Sequence, residues 1–300
     1  MEEGDVKQLK RKRHKRQKSP SGMILQPRDI DVMEAVYRFR VLSQAQIATL
    51  FFGSKATAQF RLEKLYDHQF LERKFLPVSL GDGRSPTLYV LDRKGAETLR
   101  TERGYDEVKW FGTSKGLSAD FLSHTMAIND VMVRVSLACR VHGFTLEKWQ
   151  AENEVKADYD RVRVQSSQGK WEDVPVVPDS FFTIVAHQRR YPFVLELDRG
   201  TMTLARFKNK IRAYVVYFQS GAYEKRYGVK SLRVLSVVST KSQSGGEKRR
   251  DNLKAATEEL TRERWFWFAT LAELTPENIL TIPIWHQASE QDRKILVAPI

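Results

Sequence analysis

Residues 177–201 read VPDSFFTIVAHQRRYPFVLELDRGT, and this stretch decides the fold that we expect. Two runs rich in β-branched and aromatic residues flank a polar segment, which predicts an antiparallel hairpin. Because side chains alternate along a strand, Glu196 and Asp198 should leave the sheet on one face, and Asp179 should approach them from the neighbouring strand. Three converging carboxylates repel one another unless a cation lies between them. The pattern therefore predicts a metal site at Asp179, Glu196 and Asp198, with Mg²⁺ as the candidate cofactor.

The composition favours a globular protein with a polyanionic partner. The 300 residues are 41% hydrophobic, and 50 Lys and Arg against 37 Asp and Glu give a formal net charge of +13. Such a balance favours nucleic acid over an acidic membrane surface. The single cysteine, Cys139, excludes an intramolecular disulfide and fits a reducing compartment. Because no apolar run approaches the roughly 20 residues that span a bilayer, we expect a cytoplasmic protein without membrane contact.

The N-terminal segment is strongly basic. The first 20 residues carry eight basic side chains against three acidic ones. A block of this kind cannot bury apolar surface, so we expect residues 1–26 to be a disordered arm when the protein is free. Arg11 and Arg13 are the candidates in this arm for contacts with DNA phosphates. The alternative is a solvated tail without a specific role.

Residues 27–103 predict a winged helix-turn-helix domain. Three apolar-periodic helices come first, with Ser43 and Gln46 in capping-box spacing before the second and Ser54 as the cap of the third. Two strands follow, joined by the glycine-rich loop 79–85 with Arg84 near its tip. Three helices followed by a hairpin are the order of a winged helix.

In that arrangement the third helix would lie in the major groove of DNA, while the wing would reach the backbone or the minor groove. Arg and Gln side chains can read base edges, whereas Lys more often meets phosphates. A winged helix that binds protein and an accidental three-helix pattern are the alternatives. With Arg84, the candidate DNA-contacting residues are those off the apolar stripe of the third helix: Lys55, Thr57, Gln59, Arg61 and Lys64.

The rest of the chain predicts a second domain. Residues 104–117 suit a linker, and residues 286–300 form a tail without a readable pattern. Between them, residues 118–285 alternate a long helix, several strands, and then helix, strand, helix and strand. This order is typical of an α/β layer on a mixed sheet, so that the whole chain is α/β, or α+β overall. We interpret His124, on the long helix, as a hydrogen-bonded core or boundary residue rather than a ligand.

The pair Pro178-Asp179 and the later Glu196-Leu197-Asp198 resemble the core of the PD-(D/E)XK nuclease-like fold. Residues 27–285 resemble the replication-relaxation family of plasmids and other mobile elements. This resemblance rests on the N-terminal winged helix, the Pro178-Asp179 pair, the run from Leu195 to Thr201, the late Arg249-Arg250 pair and the aromatic 265–268 segment. The resemblance implies a role in replication or DNA topology and descent from nucleases.

The nuclease motif implies a chemistry and exposes a departure from it. In that motif the acids hold Mg²⁺, and a lysine two residues after the Glu orients or activates the attacking water. Asp198 occupies the lysine position here. Lys208 or Lys210, on the following helix, would have to supply the positive charge for catalysis. Otherwise Asp198 pairs with Arg199 or with a basic residue of that helix, and the acids have structural roles.

We therefore predict a double-stranded DNA-binding protein of a mobile element, acting in plasmid replication and relaxation, transfer or transcriptional control. It would dock through the winged helix and carry a degenerate nuclease-like domain. Two alternatives stay open. One is a Mg²⁺-dependent DNA endonuclease or nickase using Asp179 and Glu196, and the other is an adaptor that recruits a replication or transfer enzyme. A homodimer and replication or transfer proteins are the further candidate partners.

Overall fold

The computed structural model describes residues 12–76, 85–110, 118–165 and 169–298. The chain divides into two compact units, Met1–Leu122 and Ser123–Ile300. Two of the candidate DNA-contacting residues, Arg11 and Arg84, lie outside the described residues.

The first unit has helices followed by a short sheet. Its three strands have the spatial order β1-β3-β2, and both pairings are antiparallel. In chain order its elements are α1 (Pro27–Phe39), β1 (Leu42–Ser43), α2 (Gln44–Phe51), α3 (Lys55–Asp67), β2 (Leu71–Phe75), β3 (Thr87–Leu91) and α4 (Arg93–Arg103).

Side-chain caps set where α2 and α3 begin. Ser43 and Gln46 form the predicted capping box, in which each side chain accepts a hydrogen bond from the other residue's backbone N–H. The Ser54 hydroxyl accepts from the backbone N–H of Thr57 at the start of α3. Both caps confirm the starts that the sequence predicts for these helices.

The second unit is an α/β layer. Its long helix α5 begins at Ala119, shortly before the boundary after Leu122, and continues to His142. Its elements are α5 (Ala119–His142), β4 (Thr145–Ala151), α6 (Glu152–Ala157), β5 (Asp160–Gln165), β6 (Trp171–Val176), β7 (Ser180–Ala186), β8 (Arg189–Asp198), α7 (Leu204–Gln219), α8 (Ala222–Tyr227), β9 (Arg233–Val238), α9 (Gln243–Glu258), β10 (Phe266–Thr270), a 3₁₀ turn (Leu271–Glu273), β11 (Trp285–Gln287) and β12 (Arg293–Lys294).

Seven of these strands form one mixed sheet in the order β12-β11-β10-β9-β8-β7-β4. Strands β8, β9 and β10 are parallel neighbours, and the other pairs are antiparallel. Parallel neighbours need crossover connections, which α7 and α9 supply along the chain. The mixed α/β sheet that the sequence predicts is confirmed.

The hairpin of β7 and β8 lies inside this sheet. It pairs Ser180 with Leu195 at one end and Ala186 with Arg189 at the other. Only His187 and Gln188 remain in the turn, and both have positive φ, 51° and 60°. Two consecutive residues of positive φ are the mark of a type I′ turn, whose twist matches that of the two strands. The turn therefore has two residues, although the polar segment from His187 to Arg190 has four, because Arg189 and Arg190 already belong to β8.

One face of the sheet packs against helices, and it carries the acids. Phe181, Val194 and Val234 belong to a buried core that α7, α9 and the separate β5–β6 pair also line. Residues 196 and 198 follow Val194 at the spacing that keeps a strand's side chains on the same face. Accordingly, Glu196 and Asp198 are both buried, at 9% and 6% exposure, and both contact helices.

The last part of the chain extends the sheet. Strands β11 and β12 add to its β10 edge within the stretch that carries no readable sequence pattern. Strands of three and two residues are too short to show an alternation. Over the described residues, we find no helix with the length and apolar character needed to cross a membrane.

Candidate functional site

Asp179 is held in place from three directions. Its backbone N–H donates to the Leu195 carbonyl oxygen at 2.9 Å, and its Oδ2 accepts from the Leu197 backbone N–H at 2.7 Å. Its Oδ1 lies 3.1 Å from Nε2 of His124 on α5. Burial alone would raise the pKa of Asp179, but the His124 hydrogen bond and the charge of Lys210 lower it below its ordinary value. Asp179 is therefore a fixed carboxylate at the junction of β7 and β8.

Glu196, on β8, is bound by two side chains of α7. Lys210 Nζ contacts one carboxylate oxygen, and the Tyr214 hydroxyl donates to the other. Burial raises the pKa of Glu196 to about 7, with Asp179 adding to the rise and Lys210 opposing it. The nearby charges of Glu196 and Asp179 outweigh burial and raise the pKa of Lys210. Glu196 is thus a buried, proton-accepting group with an ammonium beside it.

Asp198 forms an ion pair with α9. Arg249 donates to both of its oxygens, from Nε at 3.1 Å and from Nη2 at 2.8 Å. The same guanidinium donates to the Met202 carbonyl oxygen at 2.6 Å, and the Gly200 N–H donates to Asp198 Oδ1 at 2.7 Å. The acid in the lysine position of the nuclease motif is therefore neutralised by a guanidinium. This partner lies neither at Arg199 nor on the following helix.

Of the two lysines expected to reach back into the site, the structure brings one to it. Lys210 contacts Glu196, whereas Lys208 contacts Glu259 at the end of α9. Two helix positions separate these lysines, so they leave α7 in different directions. Lys210, on α7, is therefore the lysine of this pair that lies beside Glu196.

Two residues that sequence reasoning did not select lie beside Asp179. Ligand atoms of His124, Glu152 and Asp179 all lie within 4.8 Å of one another. The His124 ring is a quarter exposed and hydrogen-bonded to Asp179, as expected of a hydrogen-bonded boundary residue, and this hydrogen bond raises its pKa against the effect of burial. Glu152 is the first residue of α6, a helix of six residues that follows β4 directly. A helix this short has no apolar period, so the sequence offered no signal for Glu152.

One side of α3 carries four of the eight candidate DNA-contacting residues. Lys55, Thr57 and Gln59 are exposed, and Phe60 is 60% exposed. Lys64 Nζ lies 4.8 Å from the centroid of the Phe60 ring. This set, Lys55, Thr57, Gln59, Phe60 and Lys64, is called the α3 face below.

Two candidate arginines contact the protein itself. Arg61 Nε donates to Asp29 at 2.7 Å, and its Nη2 donates to the Ile24 carbonyl oxygen at 2.8 Å. Because Asp29 is completely buried, Arg61 ties α3 to α1. Arg13 Nη2 donates to the Ser85 carbonyl oxygen at 3.0 Å. Arg61 therefore has a structural contact, and we do not include it in the α3 face.

The comparison with protein families covers both of these regions. The family model described as replication-relaxation matches residues 33–233. The chain belongs to the replication-relaxation family. The replication-relaxation match includes the α3 face, Asp179, Glu196 and Lys210, and it ends before Arg249.

Other comparisons add little to the replication-relaxation assignment. No curated protein matches the sequence. A solved structure with some similarity is that of restriction endonuclease FokI, at 13% sequence identity and a TM-score of 0.28. That alignment covers 82% of this chain, while the chain spans 42% of the FokI chain. A TM-score this low does not indicate a shared fold.

Proposed function

We propose that this protein binds double-stranded DNA of a mobile element through a winged helix formed by residues 27–103. The arrangement of α1, α2 and α3 before the β2–β3 pair supports this, because it is the order of a winged helix. The net charge of +13 supports a polyanionic partner. Membership of the replication-relaxation family favours a role in replication or DNA topology.

The α3 face is the observation that carries the proposal. Its Lys55 and Gln59 side chains point to solvent from the helix that a winged helix inserts into the major groove. Gln59 can form paired hydrogen bonds with an adenine edge, and Lys55 can meet a phosphate. Phe60 presents an apolar ring that can contact a thymine methyl group. Arg61 supports this face by holding α3 against Asp29.

The second unit, in this proposal, is a nuclease-like scaffold that holds DNA, a partner enzyme or a second protomer. Two of the three acids expected to bind metal are paired with cations, Glu196 with Lys210 and Asp198 with Arg249. These pairs give the acids a structural role that needs no metal. The protein acts in replication, transfer or transcriptional control of its element.

Binding to labelled duplex DNA, followed by fluorescence anisotropy, tests the proposal. A preferred duplex is first selected from a random library with the purified full chain. Gln59→Ala should then reduce the preference for that duplex over a random one by about 1–3 kcal/mol, which is typical of a lost paired base contact. Lys225→Ala, an exposed lysine of α8, is the control and should leave both affinities unchanged. A protein that selects no duplex, or whose preference survives in Gln59→Ala, contradicts base reading by α3.

A second candidate function is metal-dependent cleavage of DNA. The position of Lys210 favours it, because this ammonium reaches Glu196 beside Asp179 and can take the role of the missing motif lysine. A metal held by Asp179 would polarise the scissile phosphate and activate water. Nicking of supercoiled plasmid with Mg²⁺ or Mn²⁺, abolished in Asp179→Ala and in Lys210→Met, is the expected result. Intact supercoiled, linear and branched DNA with both metals contradicts this candidate.

The adaptor role makes a different prediction. A protein that only recruits a replication or transfer enzyme should retain that enzyme in a pull-down after nuclease treatment. Loss of all such partners when the DNA is removed argues against the adaptor role.

A further inference from the structure

Three groups that can ligate a metal meet where α5, α6 and β7 approach one another. His124 lies on α5, Glu152 begins α6, and Asp179 immediately precedes β7. Their ligand atoms lie within 4.8 Å of one another, and the three side chains are between 12% and 25% exposed. Three separate elements thus bring a nitrogen and two oxygens to one partly buried point.

We propose that His124, Glu152 and Asp179 bind one divalent ion of the first transition series, such as Mn²⁺ or Zn²⁺, in preference to Mg²⁺. The inference concerns ion binding alone and does not require the protein to cleave DNA. It differs from the sequence prediction in two of the three ligands, since Glu196 and Asp198 are replaced by His124 and Glu152.

The spacing of the ligand atoms fits a shared ion. Metal–nitrogen and metal–oxygen bonds of about 2.1 Å place two ligands of one ion roughly 3.0–3.4 Å apart. His124 Nε2 and Asp179 Oδ1 lie 3.1 Å apart. An ion can therefore enter between them with small side-chain movements, replacing the hydrogen bond that now joins them. The backbone N–H of Leu197 keeps Asp179 in position from its other oxygen.

The chemistry of the ligands sets the preference among ions. Mg²⁺ binds oxygen ligands in near-octahedral geometry and keeps most of its waters. An imidazole nitrogen favours Zn²⁺ and other transition ions, and a mixed set with carboxylates also suits Mn²⁺. Because His124 supplies a nitrogen ligand, the site should prefer transition-metal ions, whereas two carboxylates alone would suit Mg²⁺.

Charge also favours this position over the one predicted from sequence. Glu196 and Asp198 already have Lys210 and Arg249 against them, so a cation placed there would meet two positive groups. With His124 neutral, Glu152 and Asp179 provide two negative charges. Lys210 also acts on Asp179, whose pKa it lowers, but its ion pair is with Glu196. Glu152 also contacts Lys156, whose side chain is 58% exposed and can move into solvent. Displacing this exposed contact costs little.

Isothermal titration calorimetry of the full chain with MnCl₂, ZnCl₂ and MgCl₂, in the absence of DNA, tests the proposal. We expect one equivalent of Mn²⁺ or Zn²⁺ to bind, and Mg²⁺ to bind at least about tenfold more weakly. His124→Ala and Glu152→Gln should each weaken Mn²⁺ and Zn²⁺ binding by at least about tenfold, since even changes outside the ligand set have effects of that size. His187→Ala, an exposed histidine in the β7–β8 turn, is the matched control and should bind like the wild type.

Two further variants locate the ion and test its class. If Glu196→Gln weakens binding while His124→Ala does not, the ion lies at the position predicted from sequence and the proposal is wrong. His124→Asp makes an all-oxygen set, which should bind Mg²⁺ and reduce the preference for Zn²⁺ by at least about tenfold. Circular dichroism of each metal-free variant checks folding, and the nearly isosteric Glu152→Gln, at the first residue of α6, keeps the test decisive if a His124 variant does not fold. No binding by the wild-type chain at millimolar metal overturns the proposal.

Discussion

Arg249 donates two hydrogen bonds to Asp198, from Nε at 3.1 Å and from Nη2 at 2.8 Å. The side chains are 17% and 7% exposed, so the pair is largely removed from water. In the nuclease motif that the sequence resembles, a lysine would stand at position 198. Here Asp198 stands at that position on β8. The positive charges beside the acids come from Arg249 on α9 and Lys210 on α7.

Removing Arg249 should destabilise the second unit. Arg249→Ala leaves the buried Asp198 carboxylate without its cation, and we expect the free energy of unfolding to fall by about 3 kcal/mol. Urea denaturation measures this. Asp198→Asn in the same background should restore part of the loss, because the uncompensated charge is then gone. The neighbouring exposed Lys248→Ala is the control, with a change within about 0.5 kcal/mol. An equal effect from Lys248→Ala would argue against the ion pair as the cause.

Glu196 should make stability depend on pH below neutrality. Its pKa is raised from 4.5 to about 7 in the folded protein, mainly by burial. The folded state therefore holds a proton that the unfolded state releases, so this contribution is fully present below pH 4.5 and is lost as the pH rises through about 7. In Glu196→Gln, the fall in unfolding free energy between pH 4.5 and pH 7 should become smaller. Unchanged pH profiles by urea denaturation would contradict the raised pKa.

Arg61 should affect stability rather than DNA recognition directly. Arg61→Ala removes the partner of the completely buried Asp29, and a loss of about 3 kcal/mol is expected by thermal or urea unfolding. Lys55→Ala, on the exposed side of the same helix, should change stability by no more than about 0.5 kcal/mol. If Arg61→Ala keeps full stability and loses DNA affinity, then Arg61 contacts DNA as the sequence first predicted.

A glycine in the β7–β8 turn should stabilise the folded protein. Gln188 has φ 60°, a left-handed conformation that costs a side-chain-bearing residue roughly 1–2 kcal/mol. Gln188→Gly relieves this strain, but glycine also has more conformational freedom in the unfolded state. The free energy of unfolding should therefore rise by about 0.5 kcal/mol, and the melting temperature should rise with it. Gln188→Ala retains the strain and should bring no gain. A rise of equal size in both variants would mean that the glutamine side chain, not the backbone, is unfavourable.

The sequence predicts local features well because they depend on nearby residues. The capping box of Ser43 and Gln46 and the strands around His187 rest on spacings of a few residues. The contacts that define the site are not local. Asp198 and Arg249 are 51 residues apart, and His124 and Asp179 are 55 apart. A single sequence contains the residue types for these contacts but not their pairing.

The missed parts of the site have the same physical origin. His124 interrupts an apolar helix, and the sequence cannot tell whether such a ring faces the core or a neighbouring carboxylate. Glu152 starts a helix of six residues, which tertiary packing rather than intrinsic propensity must stabilise. Near the end of the described chain, β11 and β12 are strands of three and two residues, too short to show a period.

The salt dependence of DNA binding tests the central claim, that the α3 face docks on duplex DNA, most directly. The logarithm of the association constant should fall steeply and linearly with the logarithm of salt concentration. In Lys55→Ala the slope should be smaller by about one, as expected when one phosphate contact is lost, while Lys225→Ala should keep the wild-type slope. An affinity that does not change with salt, or equal slopes in wild type and Lys55→Ala, would contradict the account.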